Sequence, residues 1–255
     1  MTSKEKHLVM IHGLMGSSHY YNPAHRIGGF TVHTPDLLGY GSRAFACDAT
    51  RFSLQMQADD IVNYIAENIT DCESPVFLIG HSMGGAIGFL AAQRIPERIS
   101  GFINAEGNFT LKDAYWSGQI AKQDFSSYKA EYEKMQNDPA AWLESMGSPF
   151  GNLEWANEIL HNQPAETVYG MSKALVTETG TAQYENTVRE VVEFPVPLYL
   201  ISGEKSICGW DVPEFVLKKA VSNIVIPGAG HNMMFDAPGE FCRIVQRIVL
   251  QRENF

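Results

Sequence analysis

The feature that most constrains this chain is the hexapeptide Gly80-His81-Ser82-Met83-Gly84-Gly85. It follows an apolar run, Val76 to Ile79, and opens a small-residue-rich stretch, Ser82 to Arg94, that reads as a helix. A G-x-S-x-G segment at a strand-to-helix junction holds its serine on a sharp corner with the hydroxyl exposed, and its glycines admit neighbouring backbone. The structural alternative is a tight turn whose serine caps the helix.

The flanking sequence agrees with a strand–helix alternation. His7 to Ile11, Phe30 to Thr34, Ile99 to Ala105, Val196 to Ser202 and Asn223 to Ile226 read as further strands. Apolar residues recur at helical spacing from Ser53 to Ile69, with Ser53 as N-cap, and two more helices are expected at Pro213 to Ala220 and from Pro238. The strands show little polar alternation, which predicts a mostly parallel sheet covered on both faces. With right-handed crossovers this is a doubly wound α/β layer. The rhythm breaks between about residues 110 and 190. Helical stretches follow one another there: Lys112 to Gln123, Ser127 to Gln136, Ala140 to Met146, Leu153 to His161 and Ala165 to Thr177, punctuated by Pro139, Pro149 and Pro164. A chain of 255 residues is long for one domain at about 150 residues each. The expected organisation is an α/β core from residues 1–110 and 190–255, interrupted by an α-helical insertion at 111–189.

A serine nucleophile needs a base, because its hydroxyl is protonated at neutral pH. Of eight histidines, His231 in Pro227-Gly228-Ala229-Gly230-His231 follows the last predicted strand, on the same rim of the sheet as Ser82. His7, His25, His33 and His161 read as ordinary surface or rim residues. A tetrahedral oxyanion also needs two N–H donors. Met83, directly after the serine, supplies one, and Leu14 in His12-Gly13-Leu14-Met15-Gly16 supplies the other. No spacing such as H-E-x-x-H points to a metal.

On these pieces the chain resembles the α/β-hydrolase fold superfamily over nearly its whole length: HGLMG at 12–16, DLLGYGS at 36–42, GHSMGG at 80–85 and GAGH at 228–231. The resemblance implies that the helical insertion is a cap, that Asp36 organises a turn, and that the two antiparallel strands which often precede the first motif are absent or truncated. It also implies a third triad member, commonly an aspartate in a G-x-x-D turn after the penultimate strand. Here that turn reads Gly203-Glu204-Lys205-Ser206, and a serine cannot supply the charge. Three carboxylates are open as substitutes. Glu106 directly follows the strand after the serine helix, where some relatives place their acid; Asp211 lies five residues past Ser206; Glu204 sits in the turn itself. Phe109, Tyr115, Trp116, Trp142 and Trp155 are expected to line an apolar pocket under the cap, with a small core of the cap as the competing role.

Composition narrows the partners. Lys and Arg number 19 against 29 Asp and Glu, a net charge of −10, which disfavours phosphate-backbone binding, so nucleic acid is excluded. The longest apolar stretch, Met83 to Ala92, is too short and glycine-rich for a membrane span, and the four-residue run Leu8 to Ile11 after Lys4 and Lys6 is too short for a signal peptide. Cys47, Cys72, Cys208 and Cys242 form no C-x-x-C pair and are expected as free thiols of a soluble cytoplasmic protein. The reading is a serine hydrolase that needs no cofactor and acts on a small or medium apolar ester or thioester. Carbon–carbon bond hydrolysis, a lyase or perhydrolase reaction on the same residues, and a ligand receptor without turnover are the alternatives, and the oligomeric state is left open.

Overall fold

In the computed structural model, residues 5–45, 51–148 and 151–251 are described; Lys4, Cys47 and Pro149 fall outside them. Six strands, β1 (His7–Ile11), β2 (Thr31–His33), β3 (Val76–His81), β4 (Ile99–Ala105), β5 (Leu198–Gly203) and β6 (Ser222–Ile226), form one sheet in the order β2-β1-β3-β4-β5-β6. Every pairing is parallel. The helices are α1 (Pro23–Arg26), α2 (Leu54–Asn68), α3 (Met83–Arg94), α4 (Tyr115–Ala121), α5 (Phe125–Asn137), α6 (Pro139–Ser145), α7 (Leu153–His161), α8 (Ala165–Thr179), α9 (Ala182–Val192), α10 (Glu214–Lys219), α11 (Met233–Asp236) and α12 (Pro238–Gln251).

The strands bury both faces because successive side chains point to opposite sides. Val9, Ile11 and Leu78 join Ile61 and Ile65 of α2, Ile87 and Leu90 of α3 and Val188 of α9 in one apolar layer. Leu8, Met10, Phe77 and Ile79 join Ile27, Phe241, Val245 and Ile248 in the other. Ser53 caps α2 as expected, its side chain accepting from the Met56 N–H. Asp36 organises its turn: one carboxylate oxygen accepts from the N–H and hydroxyl of Ser42. Cys72, Cys208 and Cys242 are free thiols.

Two details depart from expectation. His7 is not a surface residue: only 7% exposed, its Nδ1 lies 3.0 Å from Nε2 of His33. Helix α9 is not foreseen in the sequence, and the boundary expected at residue 190 falls inside it. Its Val188 and Val191 pack into the layer under α3. Six helices, α4 to α9, therefore separate β4 from β5.

The topology fixes where a site forms. From β1 the chain steps to β2 on one side and returns to β3 on the other, so the order reverses between β1 and β3. Loops leaving the C-terminal ends of such strands diverge and open a crevice. The register aligns Ile11 with Gly80, Gly80 with Asn104 and Asn104 with Leu200, so β1, β3, β4 and β5 end on one rim.

The packing of β1 against the start of α3 leaves no room at Gly84, where an added Cβ would lie 2.2 Å from the Ile11 carbonyl oxygen. Gly118, inside α4, has nothing within 4 Å of such a Cβ. Gly84→Ala should lower the unfolding free energy by about 2 kcal/mol or more in denaturant melts. Gly118→Ala should be neutral or stabilising by up to about 1 kcal/mol. Equal effects would contradict this packing.

Candidate active site

Ser82 sits between β3 and α3 with φ 53° and ψ −123°, a conformation costly for a residue with a side chain. Three backbone hydrogen bonds hold it: its N–H donates to Ala105 O at 3.2 Å, and its carbonyl accepts from Gly85 N–H at 2.9 Å and Asn108 N–H at 3.1 Å. Gly80 permits the corner, since a Cβ there would meet the Gly84 carbonyl oxygen at 2.4 Å. Among the described residues the Ser82 hydroxyl makes no hydrogen bond, and Ser82 and His231 line one cavity.

Glu106 leaves the adjacent β4 and also has a positive φ, 44°. That turn directs its carboxylate sideways across the end of β5. Oε1 accepts from the Gly203 N–H at 2.8 Å and the Ser206 hydroxyl at 2.6 Å, and Oε2 meets His231 Nδ1 at 2.7 Å. Burial, at 4% exposure, pushes the carboxyl toward protonation. The His231, Ser206 and Gly203 hydrogen bonds and the charge attraction of His231 outweigh it and hold the pKa below the ordinary glutamate value. The other two carboxylates are engaged elsewhere. Asp211 accepts from Thr110 Oγ1 at 2.7 Å and Lys112 Nζ at 3.2 Å. Glu204 accepts from the Gly228 N–H at 2.8 Å. Ser206, where relatives commonly carry the acid, thus donates to the carboxylate that reaches His231 from the next strand.

The loop after β1 lies against the Ser82 corner: a Cβ on Gly13 would sit 3.2 Å from Ser82 Cβ. His12 braces this loop, its Nδ1 donating to Gly13 O at 2.8 Å and its Nε2 accepting from the Leu37 N–H at 3.3 Å. Tyr40 OH donates to Leu14 O at 2.9 Å, and the buried Gln163 accepts from the Gly16 N–H at 2.9 Å. Leu14 and Met83 are 5% and 0% exposed, and neither N–H is spent on an acceptor among the described residues. Met83 opens a helix, where N–H groups lack intrahelical partners.

The cavity measures about 100 Å³. Trp116 and Trp142 line it, as expected from the sequence. Three other expected lining residues do not. Phe109 is buried elsewhere, between Phe89 and Trp210 at ring distances of 5.4 and 5.7 Å. Tyr115, the first residue of α4, is 74% exposed and does not line the cavity. Trp155 packs behind Tyr20 and Phe235, which themselves reach the cavity. Residues not foreseen include His81, Ile159 and Phe235. His81 was visible inside the serine motif itself. Its Nε2 donates to the His231 carbonyl at 2.9 Å, and burial together with the charge of His231 pushes its pKa down to about 3, so it is neutral.

Burial likewise pushes the His12 imidazole down to about 4, despite its bond to Gly13. In the unfolded chain it titrates near 6.5, so between about pH 6.5 and 4 the unfolded state binds the extra proton and stability falls as pH falls. His12 should cost roughly 3 kcal/mol between pH 7 and 4, and melts of His12→Asn should show a correspondingly flatter pH dependence. Identical slopes in the two proteins would refute this assignment.

The alpha/beta hydrolase family model matches residues 8–244. Methyl jasmonate esterase 1 of Vitis vinifera is 25% identical over 271 residues, covering 98% of both chains. Among solved structures, a carboxylesterase of the thaumarchaeon Nitrososphaera gargenis superposes with a TM-score of 0.73 at 18% identity, covering 96% of this chain and 90% of the other. A point mutant of the N-acyl homoserine lactonase AidH, complexed with N-hexanoyl homoserine, gives 0.69 at 24%, covering 97% and 90%. With the parallel sheet, the serine corner and the switch-point crevice already in place, the match establishes that this chain belongs to the alpha/beta hydrolase family.

Proposed function

We propose that this chain hydrolyses small apolar carboxylic esters or thioesters through an acyl-enzyme on Ser82, with His231 as general base and Glu106 as the acid of the triad. The observation that carries the reading is the 2.7 Å contact of Glu106 with His231 beside the cavity that Ser82 lines. The esterase name of the grapevine relative supports the bond type.

With Nδ1–H donated to Glu106, the imidazole presents Nε2 as an acceptor for the Ser82 hydroxyl proton. In the free enzyme such catalytic hydrogen bonds are often long and close when substrate binds. As the proton moves to Nε2, Ser82 Oγ attacks the carbonyl carbon and the carbonyl electron pair moves onto oxygen. The Leu14 and Met83 N–H groups receive that oxyanion at no reorganisation cost. Collapse breaks the bond to the leaving alcohol, which takes the proton from Nε2. Water then gives a proton to His231 as its oxygen attacks the acyl carbon, and the acid departs as Ser82 regains its hydrogen. Glu106 stays ionised throughout and stabilises the imidazolium, consistent with its lowered pKa. The helical segment between β4 and β5 acts as the cap, excluding water from one side through Trp116, Trp142 and Ile159.

Short-chain p-nitrophenyl ester assays test these roles. Ser82→Ala should lower kcat by at least about 10⁴-fold. Glu106→Gln should lower it by about 10²-fold to 10⁴-fold, because an amide neither carries the charge nor favours the required tautomer. Asp211→Asn should stay within about twofold. Full activity in Ser82→Ala would overturn the mechanism, and a silent Glu106→Gln beside a severe Asp211→Asn would overturn the acid assignment.

A further inference from the structure

We propose that the acyl group this site accepts is uncharged and short, up to about four carbons, and that the leaving alcohol lies on the solvent side beside His231. The inference rests on the esterase reading and names its substrate class.

The charge requirement comes from the cavity wall. Among the described residues that line it, none is Asp, Glu, Lys or Arg. Its polar side chains are hydroxyls, such as those of Ser17, Ser18 and Tyr20, imidazoles and the amide of Asn232. His12 and His81 are held neutral by burial, and the third imidazole, His231, is already committed to the Glu106 carboxylate at 2.7 Å, which leaves no unpaired cation for a substrate carboxylate. The nearby Asp236, which accepts from Ser148 Oγ at 2.8 Å, adds repulsion instead. An unpaired charge taken into such a wall costs far more than the hydroxyls return. The size follows from the volume: an apolar cavity of about 150 Å³ holds benzene, so about 100 Å³ holds roughly four carbon-sized atoms.

Orientation follows from proton traffic. The leaving alcohol takes its proton from His231, whose side chain is 44% exposed, so the alcohol sits at the open side. The acyl group, which stays bound to Ser82 after the alcohol departs, takes the enclosed side, where the lining side chains Leu14, Trp142, Leu143 and Ile159 are all buried.

Four p-nitrophenyl esters separate charge from size, with uncatalysed rates subtracted. The hemisuccinate and the levulinate are near-isosteric and differ in charge; each acyl group is larger than butanoyl by the same two heavy atoms, so the size penalty cancels in their ratio. Their kcat/KM values should differ by at least about 100-fold in favour of levulinate. The octanoate should fall at least about tenfold below the butanoate, and Ile159→Ala, which widens the enclosed side, should narrow that gap. Hemisuccinate turned over as well as levulinate, or octanoate as well as butanoate, would overturn the proposal. Calorimetric titration of the Ser82→Ala protein with levulinamide and with succinamate reads the charge claim without turnover. Levulinamide binding more tightly while no ester is hydrolysed would overturn the esterase reading and uphold the cavity claim. Succinamate binding as tightly would overturn the cavity claim.

Discussion

The Glu106 carboxylate is the contact on which the rest of the site depends. It is buried, it leaves its strand through a backbone conformation that few side chains tolerate, and it joins three pieces of chain that are far apart in sequence. One oxygen ties down the end of β5 through Gly203 and the Ser206 hydroxyl; the other orients the imidazole of His231. A buried carboxylate without these donors would protonate and lose its hold on the imidazole. Three donors, His231, Ser206 and Gly203, keep it ionised, so the arrangement is over-determined where it is strained.

Ser82 obeys the same logic. Of the three non-glycine residues with positive φ among those described, two are Ser82 and Glu106, on adjacent strands of the same rim. Each is fixed by the neighbouring strand: Ser82 N–H bonds Ala105 O of β4, and Glu106 N–H bonds Ile201 O of β5. Strain is therefore stored where two functional groups must project from the sheet edge, and the parallel ladder offsets it.

Much of this was legible in the sequence because it depends on short-range patterns. The runs His7–Ile11 and Ile99–Ala105 carry their strand identity in residues that are apolar or small except for His7 and Asn104. The serine corner is announced by glycines that no other residue can replace without collision. What was not legible depends on how distant pieces meet. Glu106 and Asp211 were equal in chemistry and similar in placement; Thr110 and Lys112 capture Asp211, while a positive φ and a serine in a turn 100 residues away aim Glu106. Helix α9 escapes because Gln, Glu, Asn and Thr dilute its apolar stripe, which packs against α3, α8 and α10. The aromatic residues Phe109, Tyr115 and Trp155 advertised a pocket by type, but the face each shows is decided by how its helix or loop docks.

The central claim is that Ser82 carries the acyl group between two half-reactions. Rapid quench of the enzyme with p-nitrophenyl butanoate, followed by peptide mass spectrometry, tests it most directly. The account predicts a butanoyl adduct on the peptide containing Ser82, formed in step with a burst of nitrophenolate and absent from Ser82→Ala. Steady turnover with no adduct under any quench time, or an adduct on a different residue, would contradict it.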